Sequence, residues 1–114
     1  MIQKIKENRD FHRAYRRGKC AVSPALITYA VVKRGGGLRV GITTRKKIGG
    51  AVKRNRARRV IRAALQSCMP YIGSGTSADV VFVARSATAR LKSTEIADIM
   101  LGQLRETGVA GDSK

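Results

Sequence analysis

No carboxylate lies between Phe11 and Ala78, although arginine and lysine recur through most of that interval. Charged side chains are almost never fully buried without a partner, so any fold of this stretch must turn its cations outward. The imbalance is confined to one half of the chain. Residues 1–62 carry 19 Lys and Arg against two acids, Glu7 and Asp10, whereas residues 63–114 carry five against five. The whole formal charge of +17 therefore belongs to the first half. A chain charged only for solubility would interleave its signs. A segregated surface of one sign repels itself and attracts a polyanion, with nucleic acid the first candidate and an anionic membrane the second. Arginine outnumbers lysine 15 to nine, which favours forked contacts to phosphate and stacking on bases.

The apolar pattern divides the chain into short elements. At 114 residues it is one domain, expected over 1–108, with a disordered tail over 109–114. Met1 to Glu7 reads as an irregular arm. Asn8 is an N-cap candidate for a short helix carrying Phe11, Ala14 and Tyr15, and Gly18 is its stop. Lys19 to Ser23 is a short strand. Ala25 to Lys33 is β-rich and apolar on both faces, as in a strand inside a sheet. The turn Arg34-Gly35-Gly36-Gly37 leads into Leu38 to Thr44, where Leu38, Val40 and Ile42 alternate with Arg39, Gly41 and Thr43. Two strands about a glycine turn predict a hairpin. After the basic loop Arg45 to Gly50, Ala57, Val60, Ile61, Ala64, Leu65 and Cys68 form one helical stripe, ended by Pro70. Val80 to Ala84 is a buried strand, and Ser93 is a cap candidate for a last helix bearing Ile96, Ile99, Met100 and Leu104. The order α-β-β-β-α-β-α predicts an α+β fold with a mixed sheet and helices packed on it.

The basic helix carries the clearest chemistry. At 100° per residue, Asn55, Arg59 and Arg62 lie opposite its apolar stripe, Arg56 and Arg58 on the flanks and Arg54 at the border. Arg54 and Arg58, like Arg58 and Arg62, are i,i+4 neighbours, an arrangement that destabilises an isolated helix by roughly 0.2–0.5 kcal/mol per pair. A bound polyanion offsets that cost. The preceding loop, with Lys46, Lys47, Gly49 and Gly50, lets backbone amides approach phosphate, but it lacks the GK[ST] ending of a nucleotide-binding P-loop. Phe11 and Tyr15 share a helical face and Tyr29 sits on a strand. Spacing alone leaves open whether these rings are core or a platform for unpaired bases.

Other chemistries find little support. His12, the single histidine, has no evident partner, and no paired-carboxylate or Ser/His/Asp set is legible. Cys20 and Cys68 lack metal-ligand spacing and read as two buried apolar residues of a reducing compartment. Met1 to Arg17 is charged throughout, unlike a signal peptide, and no apolar run nears the ~20 residues of a membrane span. The expectation is a cytoplasmic protein with no membrane or DNA partner.

Arg39-Val40-Gly41, Lys46-Lys47-Ile48-Gly49 and Arg54-Asn55-Arg56, followed by Arg58, Arg59 and Arg62, resemble the protein subunit of bacterial ribonuclease P. The R-V-G strand, K-K-x-G loop and RNR helix are that family's hallmark. The resemblance extends upstream through Phe11, Tyr15 and Tyr29 and downstream through Asp79 to Arg85. It implies a two-layer α/β sandwich similar to a domain of a small-subunit ribosomal protein, with a left-handed β-α-β crossover where general rules expect a right-handed one. It also implies an accessory role in removing the 5′ leader of precursor tRNA, with catalysis by an RNA subunit and its bound Mg2+, and no catalytic or metal-binding side chain on the protein. Contacts to the catalytic RNA would fall on Lys46, Lys47, Arg54, Asn55, Arg56, Arg58, Arg59 and Arg62. Contacts to the leader would fall on Phe11, Tyr15 and Tyr29, with Arg39 and Thr43 beside them. Arg45 replaces a common serine and Gly50 a common asparagine, which removes a side-chain helix cap. The competing readings are a ribosomal or ribosome-assembly protein and, more distantly, a free-standing nuclease.

Overall fold

The segment ADVVFVA, Ala78–Ala84, is buried at every position, and its demand for cover on both faces and both edges organises the molecule. In the computed structural model, which describes residues 2–111, the strands are β1 (Gln3–Lys4), β2 (Lys19–Val22), β3 (Leu26–Val32), β4 (Leu38–Thr43) and β5 (Ala78–Ala84). The helices are α1 (Asn8–Arg17), α2 (Ala51–Cys68) and α3 (Ser93–Glu106), with short 3-10 turns between elements. The single mixed sheet runs β1-β4-β5-β3-β2. β5 lies antiparallel to β3, from Leu26 opposite Ala84 to Val32 opposite Ala78. On its other side it lies parallel to β4, from Leu38 opposite Ala78 to Thr43 opposite Val83.

The predicted β3–β4 hairpin is therefore wrong. Gly36 and Gly37 do reverse the chain with φ of 95° and 73°, but the turn spans the width of a third strand. At its mouth the Lys33 N–H donates to the Ser77 carbonyl at 2.8 Å and the Ala78 N–H donates to the Gly37 carbonyl at 3.2 Å. A strand apolar on both sides cannot rest at an edge, so β5 displaces the local pairing.

The main core lies between the sheet and α2 with α3. Phe82, Leu26, Ile61, Ile96, Met100 and Leu104 are fully buried there. The predicted stripe of α2, from Ala57 to Cys68, is the face it buries. One polar link crosses this core: the Thr28 hydroxyl donates to Gln103 Oε1 at 2.7 Å, and Gln103 Nε2 donates to the Leu26 carbonyl at 2.7 Å. The opposite sheet face packs Val81 and Val83 against Ile5 and Ala14, with Phe11, Tyr15, Ile27 and Tyr29 only partly covered. The sheet thus carries α2 and α3 on one side and α1 over part of the other, in keeping with the expected mixed sheet with helices packed on it.

Several local expectations change. The N-terminal arm is not wholly irregular: Gln3 and Lys4 pair in parallel with Arg39 and Val40, and buried Ile5 donates its N–H to the Val40 carbonyl at 3.0 Å. Asn8 is the first helical residue, with Glu7 at the N-cap and no side-chain cap. Ser93 likewise opens α3, after Lys92, whose N–H donates to Glu95 Oε1 at 3.1 Å. α2 stops at Cys68, and Pro70 falls in the short turn after it. The tail expected to be disordered is packed over 109–111. Gly108 turns the chain at φ 85°, Val109 and Ala110 are buried, and the Gly111 N–H reaches the Tyr71 carbonyl at 3.2 Å. Residues 112–114 lie outside the described residues. Of the two cysteines, Cys68 is buried but Cys20 is exposed, because its side of the edge strand β2 is not covered.

Candidate nucleic-acid interface

α2 begins without help. Gly50 stands at its N-cap with no side-chain acceptor, and its first turn holds no acid. The unsatisfied amides and helix dipole therefore add positive potential at this end. The preceding turn, Lys46–Ile48, is pinned by buried Ile48 and holds Lys46 and Lys47 outward. Gly49, at φ 134°, closes it, and a Cβ there would sit 2.7 Å from Lys53 Cδ. The helix then aligns its predicted polar residues. Arg59 and Arg62 are exposed, as are Asn55 and Arg56. Asn55 Oδ1 accepts from Arg58 Nη1 at 3.3 Å. Arg54 Nη1 donates to the Gly49 carbonyl at 3.3 Å, bracing the loop. Arg56 Nε donates to the Ala89 carbonyl at 2.6 Å, which fixes its stem and leaves part of its fork directed outward. Among the described residues no carboxylate pairs with any cation from Arg45 to Arg62.

The second surface lies on the α1 side of the sheet. Gly41 provides its key approach: a Cβ there would fall 2.5 Å from Phe11 Cε1, so only glycine lets the ring lie against the strand. One turn along α1, the Tyr15 hydroxyl is hydrogen-bonded to Thr43 Oγ1 at 2.8 Å. Tyr15 meets Tyr29 edge to face, with centroids 5.0 Å apart and planes at 75°. Burial and neighbouring Cys20 raise the Tyr29 phenol above its ordinary value. The three rings predicted from the sequence thus share one half-covered face. Beside Tyr29, Ile27 and Val83 line a cleft of about 220 Å³ whose far end carries Arg45, Lys47 and Arg85. Sequence reasoning misses Arg85 as a site residue, and its only signal is its place directly after the buried strand. Arg45 is legible as a charge in the loop but not as a wall of this cleft.

Arg39 does something other than expected. Its guanidinium grips Asp79 at both ends, Nε to Oδ1 at 2.8 Å and Nη2 to Oδ2 at 2.6 Å, while Nη1 reaches Asp10 Oδ2 at 3.4 Å. Lys33 Nζ adds a 2.8 Å contact to Asp79, and Arg13 approaches Asp10 at 3.5 Å. Burial opposes the charge of Asp79, but hydrogen bonds from Arg39 and Lys33 outweigh it and hold the carboxyl below its ordinary value. The same bond to Asp79 raises the Arg39 guanidinium. Committed to two carboxylates, Arg39 is a clamp between α1 and the sheet. Thr43 is likewise engaged through Tyr15. The outer side of α1 presents Arg9, His12, Arg13, Arg16 and Arg17, all exposed.

No group of three or more His, Cys, Asp or Glu side chains stands together among the described residues. No helix there is long and apolar enough to cross a membrane. The arrangement offers phosphate contacts and stacking surfaces.

Comparison with known proteins gives this surface its context. A family model described as Ribonuclease P matches residues 2–107. The "Ribonuclease P protein component" of Clostridium kluyveri is 30% identical over 108 residues, covering 95% of this chain and 96% of that protein. Its namesake from Pelotomaculum thermopropionicum is 31% identical over 109 residues, with 96% of each covered. Among solved structures, the Staphylococcus aureus RNase P protein superposes with a TM-score of 0.79 at 27% identity, over 95% of this chain and 97% of that one. The Thermotoga maritima RNase P protein shares the fold, with a TM-score of 0.74 at 20% identity over 88% of this chain and 93% of that one. On matches that run nearly end to end, the chain belongs to the ribonuclease P protein component family, and is a subunit of that tRNA-processing enzyme with an RNA subunit as its partner.

Proposed function

We propose that the protein docks on the catalytic RNA through α2 and its leading loop, and holds the single-stranded 5′ leader of precursor tRNA in the cleft lined by Phe11, Tyr15 and Tyr29. One observation carries this reading. A helix face of uncompensated arginines and a ring-lined, half-open sheet face lie in one small domain, so two RNA segments can be held at a fixed relation. Lys46, Lys47, Arg54, Asn55, Arg56, Arg58, Arg59 and Arg62 meet phosphates of the catalytic RNA. The rings stack on leader bases, and Arg45, Lys47 and Arg85 guide the leader backbone at the cleft's far end. Cleavage is the work of the RNA and the Mg2+ it binds. Asp10 and Asp79, the carboxylates nearest the ring-bearing face, do not fit a metal site, since they are committed to Arg13, Arg39 and Lys33. The compartment is the cytoplasm, where the precursor is made.

The test is reconstitution with the catalytic RNA and precursor tRNA at low magnesium. The protein should raise the cleavage rate and favour precursor over mature tRNA. Tyr29→Ala should weaken precursor binding by about 1–3 kcal/mol, the worth of one stacked base, and leave mature tRNA unaffected. Arg54→Ala with Arg59→Ala should instead lower the salt dependence of catalytic-RNA binding, by about 0.9 in slope for each phosphate that the variant no longer neutralises. No change in rate or substrate preference on adding the protein would defeat the proposal.

A further inference from the structure

A groove of about 540 Å³ opens at the edge of the sheet where β1 stops short. β1 covers only Arg39 and Val40 of β4, so from Gly41 onward that edge has no strand beside it among the described residues. Ile5, Val40, Ile42 and Leu65 give the groove its apolar lining, Phe11 stands on the α1 side, and Arg58 and Arg62 stand on the α2 side. Lys4 and Gln66 complete the rim, and no carboxylate lines it. Phe11, held against Gly41, lines this groove, whereas the cleft around Tyr29 is lined by other residues, Ile27, Val83 and Arg85 among them.

The volume is within the range of roughly 300–1,000 Å³ typical of small-ligand sites. An apolar floor, an aromatic wall and two guanidinium groups one helical turn apart suit a ligand with a flat apolar part and a negative charge, which describes a nucleotide. A paired base cannot enter, because its face is stacked and its edge occupied, whereas bases in loops and bulges can be splayed onto a protein surface. Both guanidinium groups belong to α2, and the groove continues directly from its arginine face.

We propose that this groove receives one unpaired nucleotide of the catalytic RNA, with its base on the Ile5, Val40 and Leu65 floor beside Phe11 and its phosphate between Arg58 and Arg62. The inference rests on α2 being the docking surface for that RNA, and it adds a base-accepting pocket to what would otherwise be a backbone contact. The pocket distinguishes an RNA with a free nucleotide at this place from a continuous duplex.

Ala63 is exposed at the mouth of the groove, so Ala63→Trp obstructs it and leaves every cation in place. The whole protein, with Thr94→Trp on the exposed side of α3 as control, is titrated with catalytic RNA across a salt series. Ala63→Trp should weaken binding about tenfold, in the range of one stacked base, with an unchanged salt slope, and the control should bind normally. A photoactivatable benzoylphenylalanine at position 63, or at Gln66 if the Trp variant does not fold, should cross-link to a single unpaired nucleotide of the catalytic RNA. Unchanged affinity of a folded Ala63→Trp, cross-links confined to paired regions, or cross-links to the leader would each overturn the proposal. The Arg54→Ala, Arg59→Ala variant separates this failure from a broader one. If its salt slope also stays at the wild-type value, the docking role of α2 has failed, and not only the groove.

Discussion

The two faces of the sheet are built from alternating residues of the same strands, and they are finished in different ways. On one, Phe82, Val80, Leu26 and Ala30 meet α2 and α3 in a dry core with a single satisfied polar link through Thr28 and Gln103. On the other, Val81 and Val83 meet Ile5 of the N-terminal arm and the short helix α1. Rings remain half exposed, and a charged cluster replaces apolar contact at the Asp79 end. The sealed face supplies stability and carries the exposed, uncompensated arginines on the outside of its helix. The open face holds its helix by charge and keeps its apolar side chains available to a ligand. Stability and recognition are thus divided between faces one residue apart in sequence.

The comparison breaks most readily at its extremes. Phe82→Ala, on the sealed face, should cost about 3–5 kcal/mol of folding stability, read as a lower denaturant midpoint. A loss under about 1 kcal/mol, well below the usual range for such a cavity, would mean that this face is not the main source of stability. Asp79→Asn should cost somewhat less than the ~3–5 kcal/mol of breaking a fully buried pair, because Lys33 and Arg39 keep some contact with water. Since the folded carboxyl titrates below its ordinary value, the stabilisation is fully present above the unfolded value of about 3.9 and is lost as pH falls through the folded one. The wild-type protein should therefore shed this part of its stability only in strong acid, and Asp79→Asn should flatten that limb of the profile. An unchanged acid limb would remove the cluster from the account of how α1 is held. The smallest effect belongs to Tyr15→Phe, which loses the bond to Thr43 and about 0.5–1.5 kcal/mol but keeps the ring. Leader binding should survive it and fall with Tyr15→Ala. Equal loss in both would show that the hydroxyl, not the stacking face, is what matters.

What the sequence reveals and conceals follows the same division. The stripe from Ala57 to Cys68 and the alternation from Leu38 to Thr43 are legible because each obeys one local period. The exposed polar side of α2, with Asn55, Arg59 and Arg62, follows from that stripe by projection. The position of β5 is not local, and the glycine turn points to a hairpin that a more apolar strand displaces. The clue is present, since Ala78 to Ala84 has no polar face except at Asp79. Arg39 misleads for a related reason: alternation puts it on the open face, but its partners, Asp10 and Asp79, come from distant parts of the chain. In a chain so poor in acids, each carboxylate near the basic half is a strong signal of a structural clamp. β1 is invisible to pattern because its two residues are polar and exposed, and it is held in place by Ile5 beyond its end.

The central place of β5 also bears on how the chain comes to be folded. Synthesis delivers β3 and β4 before the strand that joins them, and neither pairs with the other. Until residues 78–84 have emerged, the sheet has no middle, and the nascent chain exposes the cationic half with the inner edges of β3 and β4 unpaired, although β2 can already lie against β3 and β1 against β4. Closure then depends on contacts distant in sequence, a topology associated with slow folding, and unpaired strand edges are prone to aggregation while they wait. For this molecule, the interval between making the cationic half and completing the sheet is a window in which polyanions can engage it before its final shape exists.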